Sequence, residues 1–369
     1  MTDRLLDDPQ LRISSCGALL WHADQLVWHD TLTHRRFAIG EDADPVLRCF
    51  TTWQPLSHLR KHARDDDHAE ALVAIAERLR TANILVTRES ERHRVEDANE
   101  AAWHRWGRLV ALFHTETRNL RDQRFLTAAA DQERLRDRLD HEPPPPVSRT
   151  RQTTHRVPLA PDPARWTRGG FLEVLSHRRS TRQFRADPVP FEAVSTLLRW
   201  AGGITEVDEP TQTAFKTTPS GGGRHPTEIY LHAHRVAGLR AGLYHLNTGT
   251  DELELIGPPQ SPDELVELLG GQDWAAGSGC VVFYTCVLPR SMWKYSTPRT
   301  YRMLHMDVGH LSQTVYLLAA ALGLGVTFTA AVQDEKLEDL LGIDSAYELV
   351  MGCSVIGMPL GVTSIEYGE

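Results

Sequence analysis

Lys294 and Tyr295 stand side by side in the run Trp293-Lys294-Tyr295-Ser296-Thr297-Pro298. An ammonium beside a phenol stabilises the phenolate and draws a tyrosine down from its usual pKa of about 10. On that reading Tyr295 is a usable base and Lys294 its electrostatic partner. A surface lysine beside a packing tyrosine would write the same pair. Arg178-Arg179-Ser180-Thr181-Arg182 is a second candidate. Guanidinium groups bind phosphate oxygens through paired N–H donors, and a serine hydroxyl adds another donor. A dianionic phosphate suits this run; so does an ordinary solvated basic turn. The third candidate is Pro219-Ser220-Gly221-Gly222-Gly223-Arg224-His225-Pro226. Three glycines carry no Cβ, so the backbone there approaches a flat ligand closely and takes positive φ freely. A flexible hairpin tip has the same composition. No Gly-Lys-Ser/Thr follows, which excludes a nucleotide-binding P-loop.

The elements that must position these groups are legible around them. Phe171 to His177 reads as a helix running into the arginines. Glu228 to His234 reads as a strand leaving the glycine loop. Gly242 to Asn247 and Asp251 to Ile256 pattern as a hairpin. Cys280 to Val287 is a continuous apolar run with β-branched and aromatic residues, the mark of a central strand covered on both faces. It leads to Lys294-Tyr295 and then into a helix. Over Asp307 to Leu322, residues Val308, Leu311, Val315, Leu318 and Leu322 form one apolar stripe. Asp307 is expected at its N-cap or first turn and Gly323 at its end. Gly325 to Val332 reads as a strand, Glu335 to Leu341 as a short helix, and Leu349 to Ile356 as a last core strand.

A run of four prolines, Pro143 to Pro146, breaks the chain in two, because consecutive prolines favour extended polyproline II and cannot continue a helix. Three segments are expected. Residues 1–95 read as a small α+β unit. Leu19 to Trp28 and Arg36 to Ile39 read as the short strands of a hairpin, followed by a helix start at Asp44-Pro45, a helix over 68–81 and a strand at Ile84-Leu85-Val86. Residues 96–165 read as a charged helical and Pro-rich connector, with an apolar stripe through Trp103, Trp106, Val110 and Phe113. Residues 166–369 hold the candidate chemistry.

Composition narrows the partners. The formal net charge is −9, which argues against nucleic acid, since phosphate backbones need a basic surface. The five cysteines include no C-x-x-C pair, so neither a disulfide framework nor a zinc site is indicated, and no metal is expected. Cys280 and Cys286 lie in the apolar run and read as buried thiols. No apolar stretch is long enough for a membrane span, and the first residues lack a secretory h-region. A reducing cytoplasm is the expected location.

Taken in order, Arg178-Arg179-Ser180-Thr181-Arg182, the glycine loop with Thr227-Glu228, Gly242-Leu243-Tyr244-His245, Lys294-Tyr295, Tyr301-Arg302 and Asp307-Val308-Gly309-His310 resemble the SagB-type dehydrogenases. These are a branch of the nitroreductase-like flavoenzymes that includes peptide-maturation and thiazole/oxazole dehydrogenases. The resemblance spans roughly residues 170–358. It implies an α+β nitroreductase-like fold, a central and mostly antiparallel sheet flanked by helices, built as a homodimer with FMN at the interface. Arg178, Arg179, Ser180 and Arg182 match the segment that holds the FMN phosphate and ribityl chain. Pro219, Ser220, Gly221, Gly222 and Gly223 match the loop beside the flavin ring, and Ala330 and Ala331 the strand end facing it. Lys294 and Tyr295 match the catalytic pair of the azoline dehydrogenases. The activity implied is oxidation of azoline rings to azoles in a modified precursor peptide, with a base taking a proton as hydride passes to the flavin. A cyclodehydratase or another maturation enzyme would be a further partner. Reduction of dehydroamino acids in a peptide, reduction of small nitro or quinone compounds, and a non-catalytic peptide-binding subunit are the alternatives. The order of elements in residues 1–95 resembles the winged-helix-like leader-binding domains of peptide-modifying enzymes. Two departures stand out. Gly223 occupies a position where many nitroreductases carry Asn, and the stretch from Met358 to Glu369 has no basic residue to assist with phosphate.

Overall fold

The computed structural model describes residues 8–104, 107–118, 120, 128–166, 170–208 and 213–360. The chain forms two compact units, Met1–Arg124 and Phe125–Glu369. The division falls inside the stretch that the sequence suggests as a connector. Its helices are shared out between the units by specific contacts.

In the first unit, strands β1 (Gln10–Ile13), β5 (Gln54–Pro55) and β6 (Leu85–Thr87) form a sheet with β1 in the middle. Strands β2 (Gly17–His22), β3 (Gln25–Asp30) and β4 (Arg35–Ile39) form an antiparallel meander. The meander is followed by helix α1 (Ala43–Cys49), a 3₁₀ turn over Leu56–His62 and helix α2 (Asp66–Thr81). Asp65 caps α2 by accepting from the His68 N–H at 2.7 Å. Its buried Leu72, Ala76 and Leu79 meet Leu11, Trp28, Val46 and Phe50 in one core.

Helices α3 (Glu91–Trp103) and α4 (Arg108–Glu116) belong to this unit. Glu96 of α3 is fully buried and accepts from Ser14 Oγ and Arg92 Nε. Thr115 of α4 donates to Thr31 Oγ1 at 2.6 Å. The expected apolar stripe from Trp103 to Phe113 does not lie on one helix. Helix α3 ends at Trp103 with His104 as its C-cap, and Gly107, the N-cap of α4, takes φ +87°, a value that favours glycine. Val110 and Phe113 are exposed, and Trp106 lies outside the described residues.

The second unit begins its described part with helix α5 (Ala128–His141). Its core is a seven-stranded sheet in which every pairing is antiparallel. Its strands are β7 (Arg156–Pro158), β11 (Thr227–Ala233), β13 (Gly242–Asn247), β14 (Glu252–Gly257), β15 (Cys280–Val287), β16 (Gly325–Thr329) and β17 (Glu348–Gly357), in the spatial order β16-β17-β15-β11-β13-β14-β7. Shorter pieces are helix α6 (Pro163–Trp166), the β8 (Val189–Pro190) and β12 (Val236–Ala237) pair, and the β9 (Ile204–Asp208) and β10 (Thr213–Lys216) hairpin. Along β15 the side chains alternate between two cores. Cys280, Val282, Tyr284 and Cys286 face helices α8 (Phe191–Gly202) and α11 (Thr300–Ala321). Val281 and Phe283 face α9 (Pro262–Leu268) and α12 (Asp334–Leu341). A strand covered on both sides has no need of polar alternation, which is why its sequence is uniformly apolar. Helix α7 (Phe171–His177) delivers the arginines, and α10 (Leu288–Lys294) delivers Lys294.

Helix α11 starts at Thr300, about two turns earlier than the apolar stripe indicates. Asp307 therefore lies inside it, buried, and is not its cap. The helix ends as expected: Leu322 is its C-cap, and Gly323 follows at φ +70°. No helix among the described residues is long and apolar enough to cross a membrane, and no cluster of metal-ligating side chains occurs among them. All five cysteines are free thiols, and Cys280, Cys286 and Cys353 are buried.

Candidate flavin and proton-transfer site

The glycine loop is tied to α11 by the buried Asp307. Its carboxylate accepts from Ser220 Oγ at 2.6 Å and from the Gly221 N–H at 3.1 Å. Ser220 Oγ in turn accepts from the His225 N–H at 2.9 Å. Gly222 and Gly223 take φ near +65°, which glycine adopts without strain. The space at Gly222 is as demanding as its conformation. A Cβ there would lie 2.3 Å from the Tyr295 hydroxyl and 2.8 Å from Lys294 Cδ. The catalytic candidates therefore pack directly on the loop, and Lys294 Nζ donates to Gly222 O at 3.4 Å.

Lys294 and Tyr295 are held at the end of α10 from two sides. One turn earlier, buried Arg290 donates to His225 O at 3.1 Å and to Pro146 O at 2.7 Å. It also pairs with Glu228 at 2.5 Å. Glu228 passes the network to His245, whose second ring nitrogen faces Glu254. From the other side Arg134 of α5 donates to Lys294 O, and Glu142 O accepts from the Trp293 indole.

The electrostatics of the pair differ from the expectation. Burial pushes the Tyr295 phenol above its ordinary range, Asp131 adds to this, and the opposing cations are Arg224 and Arg134. The Lys294 ammonium sits over the tyrosine ring, 5.7 Å from its centroid, and is not what draws charge onto the oxygen. Lys294 itself is the perturbed base. Burial holds its pKa below that of an exposed lysine; Asp131 opposes, while Arg224 and Arg134 push the same way as burial.

The arginine run lies at the other end of α11. Arg178 is stacked on Tyr316 at 5.2 Å, and Ser180 Oγ shares a 3.0 Å hydrogen bond with the Tyr316 hydroxyl. That hydroxyl also accepts from the Phe328 N–H. The Thr181 N–H donates to Val326 O of β16 at 2.8 Å. Arg179 and Arg182 are exposed, and among the described residues no carboxylate lies within ion-pair distance of Arg178, Arg179 or Arg182. Asp307 and Tyr316 are nine residues apart on one straight helix, so the loop and the arginine anchors are set about 13 Å apart along it. Ala330 and Ala331 follow β16 and are exposed. Beside them Gly352 takes φ +130°, in a bulge where a Cβ would lie 2.7 Å from Thr329 O.

The chain-level pattern is thus an antiparallel sheet flanked by helices, with guanidiniums that have no carboxylate partner among the described residues at one end of a helix and a Cβ-free loop at the other. The nitroreductase family model matches residues 175–358. A protein of Methanocaldococcus jannaschii described as a nitroreductase is 31% identical over 189 residues, covering 51% of this chain and 89% of that one. The trifolitoxin-processing protein TfxB of Rhizobium leguminosarum bv. trifolii is 30% identical over 180 residues. That match covers 46% of this chain and 48% of TfxB, so the chain spans about half of that relative. A crystal structure of a nitroreductase-type protein from Anabaena variabilis superposes with a TM-score of 0.50 at 24% identity, covering 69% of this chain and 48% of that one, and shows the shared fold. The chain belongs to the nitroreductase family.

FMN is the cofactor that this membership implies, and the residues present suit it. Among the described residues Arg178, Arg179 and Arg182 lack carboxylate partners, Ser180 adds a hydroxyl, and neither the Gly221–Gly223 stretch nor the exposed Ala330-Ala331 segment carries a side chain larger than a methyl group. Arg224, Arg290 and Tyr316 were not singled out as functional by their sequence context. Only the packing shows that one faces the pair, one anchors its helix and one carries the Ser180 segment.

Proposed function

We propose that this protein is an FMN-dependent oxidoreductase of the SagB type that oxidises azoline rings to azoles in a ribosomally made peptide. The observation that carries this reading is the Lys294-Tyr295 pair, packed on Gly222 and electrostatically tuned by Arg224 and Arg134. The similarity to a peptide-processing protein supports the substrate class. When bound, FMN supplies the two-electron acceptor. Arg178, Arg179, Ser180 and Arg182 hold its phosphate, and Pro219 to Gly223 with Ala330 and Ala331 border its ring.

The proton chemistry falls to Lys294. Its depressed pKa leaves a larger neutral fraction than an exposed lysine has, so its amine accepts the substrate proton. Tyr295 stays protonated and orients the substrate as a hydrogen-bond donor. This reverses the roles that adjacency alone implies. The first unit serves the peptide. A groove of about 600 Å³ runs between β4 and α2, lined by Phe37, Ile39, Ile75 and Arg78. An extended leader segment pairing with the β4 edge would fill it. A second copy of the chain covers the exposed Phe171, Leu172 and Leu175 of α7 and completes a homodimer.

The test is to incubate the flavin-loaded protein with a thiazoline- or oxazoline-bearing peptide and to follow loss of two hydrogen atoms by mass spectrometry. Lys294→Ala should slow turnover about a hundred- to ten-thousandfold with flavin content unchanged. Full turnover in that variant would sink the Lys294 assignment. A strict NAD(P)H requirement, with hydrogen gained by the peptide, would replace dehydrogenase by reductase.

A further inference from the structure

A cavity of about 130 Å³ opens beside Lys294, between α5 and the end of α10. We propose that it is a carboxylate subsite for the substrate, with Arg224 as its anchor. Arg224 is only 3% exposed. Its Nη2 donates to Thr213 Oγ1 at 3.1 Å, and its plane lies over Trp293 at 5.1 Å. Its buried Nε has no hydrogen-bond partner, and among the described residues no carboxylate is within ion-pair distance. A buried guanidinium without a counter-charge is unfavourable, and a bound anion removes that penalty.

The walls give the ligand its character. Arg224 and Arg136 bring positive charge, and among the described residues no acidic side chain lines the cavity. Asp131, the acid that acts on Lys294, is committed to Arg134 at 2.9 Å. Leu135 and Leu139 of α5 supply an apolar wall for the stem that bears the anion, and Gln132 adds a polar atom. A planar carboxylate matches the fork of a guanidinium. The volume suits one such group, and the dianionic phosphate already has its own arginines at the far end of α11. The carboxylate is that of a peptide C-terminus or of an Asp or Glu side chain beside the reacting residue. Helix α5 thereby becomes a wall that selects substrate. Assignment of the carboxylate to a peptide rests on the function proposed above; the anion subsite itself does not.

Trifluoroacetate, followed by fluorine NMR line broadening, tests the site on the full-length, FMN-loaded protein. Saturable broadening is expected. Arg224→Gln should weaken it about tenfold or more. Gln132→Glu places a carboxylate on the cavity wall at an exposed helical position and should abolish binding with the fold intact by circular dichroism. That variant keeps the proposal testable if Arg224→Gln fails to fold. A short peptide with a free C-terminal carboxylate should displace the probe, and a peptide bearing an internal Asp with an amidated C-terminus separates the two sources of the group. Absence of saturable broadening overturns the proposal. So does broadening that is present without FMN and vanishes on FMN loading, since the cations would then serve the cofactor. A failure of azoline oxidation alone leaves this readout unchanged, so the two readings fail separately.

Discussion

Gly222 shows how much one missing carbon decides. Its φ of +65° and the Tyr295 hydroxyl 2.3 Å from the place of its Cβ leave no room for a side chain. Gly222→Ala is expected to lose about 1–2 kcal/mol of stability from the left-handed backbone alone. It also displaces Tyr295, so turnover should fall more than stability does. Urea unfolding and steady-state assays on the same preparation check this, and an unchanged Tyr295 function would contradict the packing. The pair beside it illustrates why adjacency is a poor guide to electrostatics. Burial acts on both groups, holding the phenol neutral and pulling the ammonium towards its neutral form.

Among elements, α11 does the positioning. One face packs on the sheet through Leu304, Val308, Leu311 and Val315, all buried. Asp307 and Tyr316 leave the same helix to grip the glycine loop and the arginine segment. Leu311→Ala should cost about 2–5 kcal/mol, the usual range for a buried leucine. Because α11 carries both anchors, its flavin affinity should weaken in parallel, measured by equilibrium dialysis with FMN. Loss of stability with unchanged flavin affinity would show that the anchors do not depend on the helix. Helix α10 is held by its own residue, Arg290, whose contacts to His225 O, Pro146 O and Glu228 fix the end that bears Lys294.

At the scale of the molecule, each unit has its own buried core. Residues 125–369 expressed alone are expected to take up FMN, giving flavin absorption bands after dialysis; a colourless product would show that the first unit is required. Acid stability also belongs to this scale. Burial above all pulls His225 and His232 down to about 4. An unfolded histidine titrates near 6.5, so between about pH 6.5 and 4 the unfolded chain binds more protons than the folded one. Stability therefore falls as pH drops through that window, by about 2 kcal/mol per histidine between roughly pH 7 and 5. Glu228 extends the loss to lower pH. Burial opposes its ionisation, but Arg290 and His245 hold it down to about 2, and their contribution disappears as pH falls from about 4.5 towards 2. Urea titrations at a series of pH values check the slope, and His232→Gln should flatten part of it.

The sequence by itself determined α7, α11 and α12, the six strands β11 and β13–β17, the glycine loop, the arginine run and the family, but not α8, α9 or the short strands. Those features are local. Apolar periodicity, β-branched runs and glycines at strained turns act over a few residues, and the motifs follow one another along the chain. In the first unit the same local signals placed α2 and β4, but the expected Leu19 to Trp28 strand is two strands, β2 and β3, with a turn at Ala23-Asp24 between them. What they could not place were partners distant in sequence. Asp307 is written like a helix cap and turns out to brace a loop 86 residues away. Helix α5 is written like a connector and forms a wall beside Lys294, 160 residues on from Arg134. The roles within the Lys294-Tyr295 pair, the burial of Arg224 and the division at residues 124 and 125 belong to the tertiary structure alone. Each depends on burial and on charges brought together by packing, and a one-dimensional pattern records neither.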